Sequence, residues 1–556
     1  MAAISGVAPS STLGHWMSPV VVGLLAFAVY SINLNYTPLF DELYHVLGAQ
    51  GFLEHGEPRI ADGVYPRAKL FTALVALWFD WFGQSVAVAR SLSVLTGGIM
   101  LVCLFTWTRA VAGSWAAWFS TIPFLVSPFA IEMFQYSRFY ALQALLFWLG
   151  AVATYALTAN RPSPVRASLL ALGAAVCFAG AFYLQITTAI GLIGIALWLI
   201  VSVALPWTRA LTQKRRRVVL VGIALVAPIL AFLAFSTYGP ELISRYRWTP
   251  LWAASERNDF WFYHFWLNLY YPSLWPIFPL AALVALAHQP KPALFSVCIF
   301  VPALLVTSFG GMKALNYIFY IIPFLFVIWG IAFTSVITGL RNFTIDVASR
   351  GLVAVGIAPK RWLVTPVIAC TIGFMLLANT ASVRAVAMLA GVTVPPEVVH
   401  PDWAAAAGPL RPWLDDASVV LTTSDLETLY FLGDYDVLIN RSRLSEVPEK
   451  IEFGRDPRTG RPIVSTPESV ALIIDCFPDG LIVTSKHRWR VPHQLDDAIA
   501  DLIIKRTAPL ELPRSSQMMA FHWEGPPNSD AQASCADLPS MQRNLGPGNA
   551  AAAIDR

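Results

Sequence analysis

Apolar runs of about 20 residues, broken by short polar loops, follow one another from residue 16 to about residue 380. As a helix, a run of that length crosses about 30 Å of hydrocarbon. The pattern predicts about eleven membrane-spanning helices, near 16–33, 90–108, 115–131, 139–159, 167–184, 187–206, 218–236, 272–288, 293–309, 315–339 and 363–380. Tyr65 to Phe82 is apolar enough to span, but it carries Arg67, Lys69 and Asp80. It is expected to lie as a helix at the outer membrane surface. A similar amphipathic stretch, 341–361, is expected on the inner side. The first run has no basic lead-in and no small-residue cleavage site, so it reads as a retained anchor rather than a removed signal peptide.

After residue 381 the pattern changes. Apolar runs shorten to strand length and Pro, Asp and Arg become frequent. Ser418–Leu421, Val437–Ile439, Ala471–Ile474 and Leu481–Val483 read as buried strands, and Asp425–Leu432 and Gln494–Ile504 as helices. The alternation predicts a soluble α/β domain. The expected fold is therefore a polytopic α-helical membrane protein with a C-terminal α/β domain. Its parts are a transmembrane domain over 1–380 with outer juxtamembrane helices within 38–82, an extracytoplasmic domain over 381–535, and a disordered tail over 536–556.

Composition agrees. Of 556 residues, 56% are hydrophobic and only 13% charged, which excludes a soluble protein of this length. Arg109, Arg161, Arg166, Arg209, Lys214–Arg217, Lys291, Arg341, Arg350, Lys360 and Arg361 fall in alternate loops that hold almost no acid. The other loops hold Asp41, Glu42, Glu54, Glu57, Asp62, Glu132, Glu241, Glu256 and Asp259. The positive-inside rule puts the first set in the cytoplasm, with the N-terminus inside and the C-terminal domain outside. Cys103, Cys177, Cys298 and Cys370 lie in apolar runs and read as packing residues. Cys476 and Cys535 lie in the polar region, where either a disulfide or two free thiols fit. No Cys/His spacing suggests a metal site.

The candidate chemistry sits in the outer loops. Asp41 and Glu42 open a helix just past the first span. Neighbouring helix residues point about 100° apart, so one carboxylate faces a given cavity. Asp41 suits a general base or charge stabiliser, and a helix N-terminus alone also favours acids there. Lys69, with Arg67, suits a lipid phosphate or ordinary snorkelling to headgroups. Arg90 and Arg138 are cations on the outer side, against the charge rule, and Arg138 has either Glu132 or a phosphate as partner. The loop from Tyr238 to Tyr271 mixes Arg245, Arg247 and Arg257 with Trp248, Trp252, Trp261 and Trp266, as either a sugar-lipid surface or an aromatic belt would. Lys313 precedes a helix start, which suits an anion.

In order and spacing these segments resemble the GT-C superfamily of polyprenyl-phosphate-sugar glycosyltransferases. Most similar are the bacterial relatives of protein O-mannosyltransferases and the lipid A aminoarabinose transferases. Asp41-Glu42 after the first span, Pro66 with Lys69, Arg90 at the second span, Arg138-Phe139-Tyr140-Ala141-Leu142, and Lys313 to Pro323 carry the resemblance, over about residues 15–380. Gln143 stands where several relatives have an acid.

The resemblance implies an inverting transfer of a sugar from an undecaprenyl-phosphate donor to an extracytoplasmic glycan, lipid (lipopolysaccharide included) or protein. It implies a bacterial cytoplasmic membrane. Asp41 would be the catalytic base with Glu42 beside it, and Lys69, Arg90, Arg138 and Lys313 would bind the donor phosphate. Tyr44, His45, Tyr65, Glu132, Tyr140, Arg245, Arg247 and Tyr317 would line the substrate. A divalent metal ion serves some relatives, and the residues leave that open. The alternative reading is a transporter or flippase with an accessory periplasmic domain. It lacks support from paired broken helices or ionisable residues at mid-span.

Overall fold

The computed structural model describes residues 12–159, 162–218, 258–352, 361–377, 379–393, 400–444, 453–492 and 494–526, with scattered residues between 236 and 249 and at 535 and 538. Most of the expected span at 218–236, Arg245 and Arg257, and the tail 536–556 apart from Leu538 lie outside these residues. The chain forms two compact units. One comprises Met1–Asn33, Ser93–Thr249 and Glu256–Val394, and the other Leu34–Leu92, Pro250–Ser255 and Pro395–Arg556.

The first unit is helical. Among the described residues, six helices are long and apolar enough to cross a membrane: Val86–Ala112, whose first residues belong to the other unit, Tyr140–Ala159, Pro164–Leu184, Thr188–Ala210, Pro290–Phe309 and Leu315–Asp346. Two bent pairs bring the number to eight. The run expected to span 115–131 breaks into Ser114–Leu125 and Pro128–Gln135, bent by 64°. Its break is local chemistry: Ser127 Oγ accepts from Ala130 N at 3.0 Å and Pro128 takes the first helical position, so a new helix starts. Asn379 acts in the same way, its Oδ1 accepting from Ala381 N at 2.8 Å, and Thr380–Leu389 turns 70° from the preceding span. The expected span 272–288 shortens to Phe278–His288, whose 11 residues reach only about 16 Å. The inner stretch expected at 341–361 begins as a continuation of Ile322–Leu352. That helix is the packing centre: Ile322 and Phe324–Ile328 are fully buried. A Cβ on Gly330 would meet the Ala116 carbonyl oxygen at 2.5 Å, so the glycine lets Ser114–Leu125 approach backbone to backbone.

The second unit joins the juxtamembrane segment to an α/β domain. Helix Phe40–His55 is followed by a hairpin of β1 (Arg59–Ile60) and β2 (Gly63–Val64), then helix Lys69–Phe82. The domain holds a seven-stranded sheet of β3 (Val420–Thr422), β4 (Val437–Ile439), β5 (Gly454–Arg455), β6 (Pro462–Val464), β7 (Asp479–Ser485), β8 (Ala508–Leu510) and β9 (Met518–Glu524). Their spatial order is β5-β6-β4-β3-β7-β9-β8. The β6-β4-β3-β7 centre is parallel and both edges are antiparallel. Successive residues supply opposite faces: Leu421, Val437 and Ile439 pack in one core, Val420, Leu438 and Ile463 in the other.

One expectation is corrected. Ala471–Ile474 is not a strand but part of helix Pro467–Cys476. Thr466 caps that helix, its side chain accepting from Ser469 N, and Pro467 occupies its start. A short apolar run satisfies either period, and here the cap decides. Cys476, at the helix end, is disulfide-bonded to Cys535. Closing a loop of 59 residues contributes about 2–4 kcal/mol. Denaturing alkylation without reductant should label the four free cysteines only. Adducts at all six would contradict the bond.

Candidate functional site

The acidic pair divides its labour. Pro38 and Leu39 lead into the Phe40–His55 helix, whose first turn carries both acids. Glu42 is fully buried and faces Arg90, also fully buried, at the start of Val86–Ala112. The guanidinium forks onto the carboxylate, Nε to Oε1 at 2.9 Å and Nη2 to Oε2 at 2.6 Å. Arg90 Nη1 also donates to the Leu34 and Tyr36 carbonyls, each at 2.7 Å, and the guanidinium lies 3.4 Å from the Tyr36 ring centre. Leu39 N donates to Glu42 Oε2 at 2.9 Å. The pair therefore pins the chain from Leu34 to Glu42. Arg90, expected on donor phosphate, spends its donors inside the protein. Asp41, one position along, is half-buried. One carboxylate is fastened and its neighbour points elsewhere, as the 100° step requires.

The rest of that helix is held by rings. Tyr44 stacks on Tyr65 at 4.6 Å with 8° between planes, and Phe40 meets Tyr44 edge-on at 5.5 Å. His45 Nδ1 bonds Thr72 Oγ1 at 2.9 Å and the ring sits against Tyr65 and Phe71. Of the expected substrate-lining residues, Tyr44, His45 and Tyr65 are thus brought together, all three buried. Burial pushes the Tyr44 phenol well above its ordinary pKa, so it stays neutral. Lys69 is exposed at the first position of its helix.

Arginines of the α/β domain, which the sequence reading did not pick out, complete this unit. Arg458 Nη1 donates to Tyr44 Oη. Arg443 joins Asp425 and Asp456 and lies 5.8 Å from the Phe40 ring, with Arg488 at 5.3 Å from the same ring. Arg461 pairs with Asp434 and with Asp62 of the hairpin. Phe40, Tyr44 and Asp62 lie hundreds of residues away from these arginines, and no local period marks such a pairing.

The first unit holds the other expected residues. Arg138 is buried, its guanidinium 5.2 Å from the Phe139 ring and 5.8 Å from Tyr140, and Tyr140 faces Tyr317 at 6.5 Å. Glu132 accepts from Tyr270 Oη at 2.9 Å, and Arg384, another cation missed in the sequence, lies 5.9 Å from the Tyr270 ring. Gln143 is buried and donates to Thr188 Oγ1 at 3.0 Å. Lys313 is buried, with Nζ donating to the Gly310 carbonyl. Burial pushes its ammonium below the ordinary lysine range, and Asp259 works against that. Arg247 is exposed, and its neighbours Tyr246 and Trp248 accept from Gly311 N and Met312 N at 2.8 and 2.9 Å. Lys313, Tyr317, Arg138 and Tyr140 thus belong to one unit, and Asp41, Glu42, Lys69 and Arg90 to the other.

Among the described residues no group of three or more His, Cys, Asp or Glu is arranged to hold a metal ion, and both Glu42 oxygens are engaged by Arg90.

No protein-family model and no curated protein matches the chain. Solved structures resemble it. ArnT from Cupriavidus metallidurans in the apo state gives a TM-score of 0.59 at 15% identity, covering 92% of this chain and 98% of ArnT. The same protein bound to undecaprenyl phosphate gives 0.57 at 14% over the same shares. Archaeal oligosaccharyltransferase AglB from Archaeoglobus fulgidus, in complex with an inhibitory peptide and a dolichol-phosphate, gives 0.58 at 11%, covering 91% of this chain and 74% of AglB. Likeness across nearly the whole chain at such identity speaks for the fold: this is a multi-pass membrane protein with the fold shared by these two solved proteins.

Proposed function

We propose that the chain is an integral membrane glycosyltransferase, moving a sugar from an undecaprenyl-phosphate donor to an extracytoplasmic acceptor with inversion. The observation that carries this reading is the fold shared over 92% of the chain with a protein solved bound to undecaprenyl phosphate. Fold alone hosts many activities, so the residues must supply the chemistry. The acceptor hydroxyl oxygen attacks the anomeric carbon. Its proton goes to the Asp41 carboxylate. The bond from that carbon to the phosphate oxygen breaks, and undecaprenyl phosphate leaves with the electron pair. Lys69, at the start of the helix that follows the Asp41 helix in the same unit, neutralises the charge growing on the departing phosphate. Glu42, fastened to Arg90, fixes the turn that presents Asp41. The membrane is the bacterial cytoplasmic membrane, with the N-terminus inside and the C-terminal domain outside.

The test supplies membranes containing the chain with radiolabelled undecaprenyl-phosphate mannose and, separately, undecaprenyl-phosphate aminoarabinose, plus a total lipid and protein extract as acceptor. Donor should be consumed, label should appear in the extract, and undecaprenyl phosphate should be released. Consumption of neither donor overturns the reading.

A further inference from the structure

Tyr44 follows Asp41 by three residues, which places the two side chains on one helix face. Whatever holds Tyr44 also sets the rotation of Asp41 about the helix axis. Besides the Tyr65 stack, what holds Tyr44 at its hydroxyl is Arg458, from the loop between β5 and β6, 414 residues further along the chain. Its Nη1 donates to Tyr44 Oη and its guanidinium lies 5.2 Å from the Tyr44 ring centre.

The loop that carries Arg458 is itself tightly anchored. Arg458 N donates to Asp456 Oδ1 at 3.0 Å. Asp62 N donates to the Thr459 carbonyl at 2.8 Å, and Arg461 Nε meets Asp62 Oδ2 at 3.2 Å. A Cβ on Gly63 would lie 2.4 Å from the Arg458 carbonyl oxygen, so the hairpin and the loop touch backbone to backbone. The same six-residue stretch, Asp456 to Arg461, therefore grips both the helix that carries Asp41 and the hairpin that leads to Lys69.

We propose that Arg458 of the C-terminal domain is a positioning residue for the catalytic turn, acting through Tyr44 on Asp41. This rests on the role of Asp41 given above. It also gives the domain a task in the reaction: with Glu42 locked on one side by Arg90 and Tyr44 on another by Arg458, the helix has no freedom to roll.

The test uses the full chain in detergent micelles. Arg458→Ala should speed amide hydrogen exchange at residues 41–48 about tenfold, the scale set by losing a charge-assisted hydrogen bond. Tyr44→Phe keeps the ring stack and removes only the acceptor oxygen. It should give the same rise, with no further rise in the double variant. Arg458→Lys restores a donor without the fork and should recover part of the protection. Unchanged exchange at 41–48 in Arg458→Ala, or fully additive single variants, would overturn the proposal. Exchange is read without turnover, so this outcome is separate from that of Asp41→Asn, which should keep wild-type exchange and lose transfer. With the radiolabelled donors, Arg458→Ala should lower kcat about tenfold at unchanged KM. A rise in KM alone would make Arg458 a substrate-binding group and sink the positioning role.

Discussion

Asp41→Asn removes glycosyl transfer and leaves the protein folded. The asparagine keeps the size and shape of the side chain but cannot take the acceptor proton, and loss of a positioned base lowers rates by about 10²–10⁴. The competing explanation for an acid in the first turn of Phe40–His55 is its interaction with the helix dipole. That is worth about 0.3–1 kcal/mol of stability and nothing in rate. The two explanations therefore separate on one variant. A small drop in melting temperature with near wild-type donor consumption makes Asp41 a helix-terminus residue and refutes the base assignment. An intact melt with donor consumption reduced a hundredfold or more supports it. Asp41→Glu sharpens the test, because it retains the charge and displaces the carboxylate by one methylene. A dipole role tolerates that change, whereas a base in van der Waals contact with a reacting hydroxyl does not.

Much of the membrane fold was legible because hydrocarbon allows few solutions. Buried backbone groups must be satisfied within a helix, so a run of 20 apolar residues has one reading. The misreadings fall where that rule gives way to capping chemistry. Ser127-Pro128 interrupts an apolar run that hydropathy alone would carry through. Thr466-Pro467 turns an apolar tetrad, Ala471–Ile474, into a helix where length suggested a strand. Within the candidate site, the acidic pair stood out because charges beside a span are costly. Their different fates were not visible, since the partner that fastens Glu42 lies 48 residues later on another helix. Arg443, Arg458 and Arg461 were illegible for the same reason in stronger form. Arginines in a Pro- and Gly-rich stretch read as surface, and only the folded chain places them against Phe40, Tyr44 and Asp62.

Arg90→Ala destabilises the protein by about 3–5 kcal/mol, the scale for removing one partner of a buried ion pair. The reason is the carboxylate left behind: Glu42 is fully buried and loses both hydrogen bonds from the guanidinium. The Leu34 and Tyr36 carbonyls lose their donor as well. Glu42→Gln is milder, because the amide keeps the shape and an acceptor for the guanidinium, which retains both carbonyls. Replacing both partners, Arg90→Met with Glu42→Leu, removes the unpaired charge and should recover part of the loss. Recovery stays incomplete because the Leu34 and Tyr36 carbonyls lose the guanidinium, at about 0.5–1.5 kcal/mol for each part-buried hydrogen bond. Thermal melting in detergent, with the two single variants and the double variant compared, reads all three. The order also decides what Arg90 is for. A phosphate-binding arginine is held in readiness for a ligand, so its removal weakens donor binding and leaves the melt unchanged or raised. An arginine that fastens the turn lowers the melt first, with transfer failing because Asp41 is no longer presented. A wild-type melt in Arg90→Ala would return Arg90 to the donor site and leave the Phe40–His55 helix held by Tyr44, His45 and their partners.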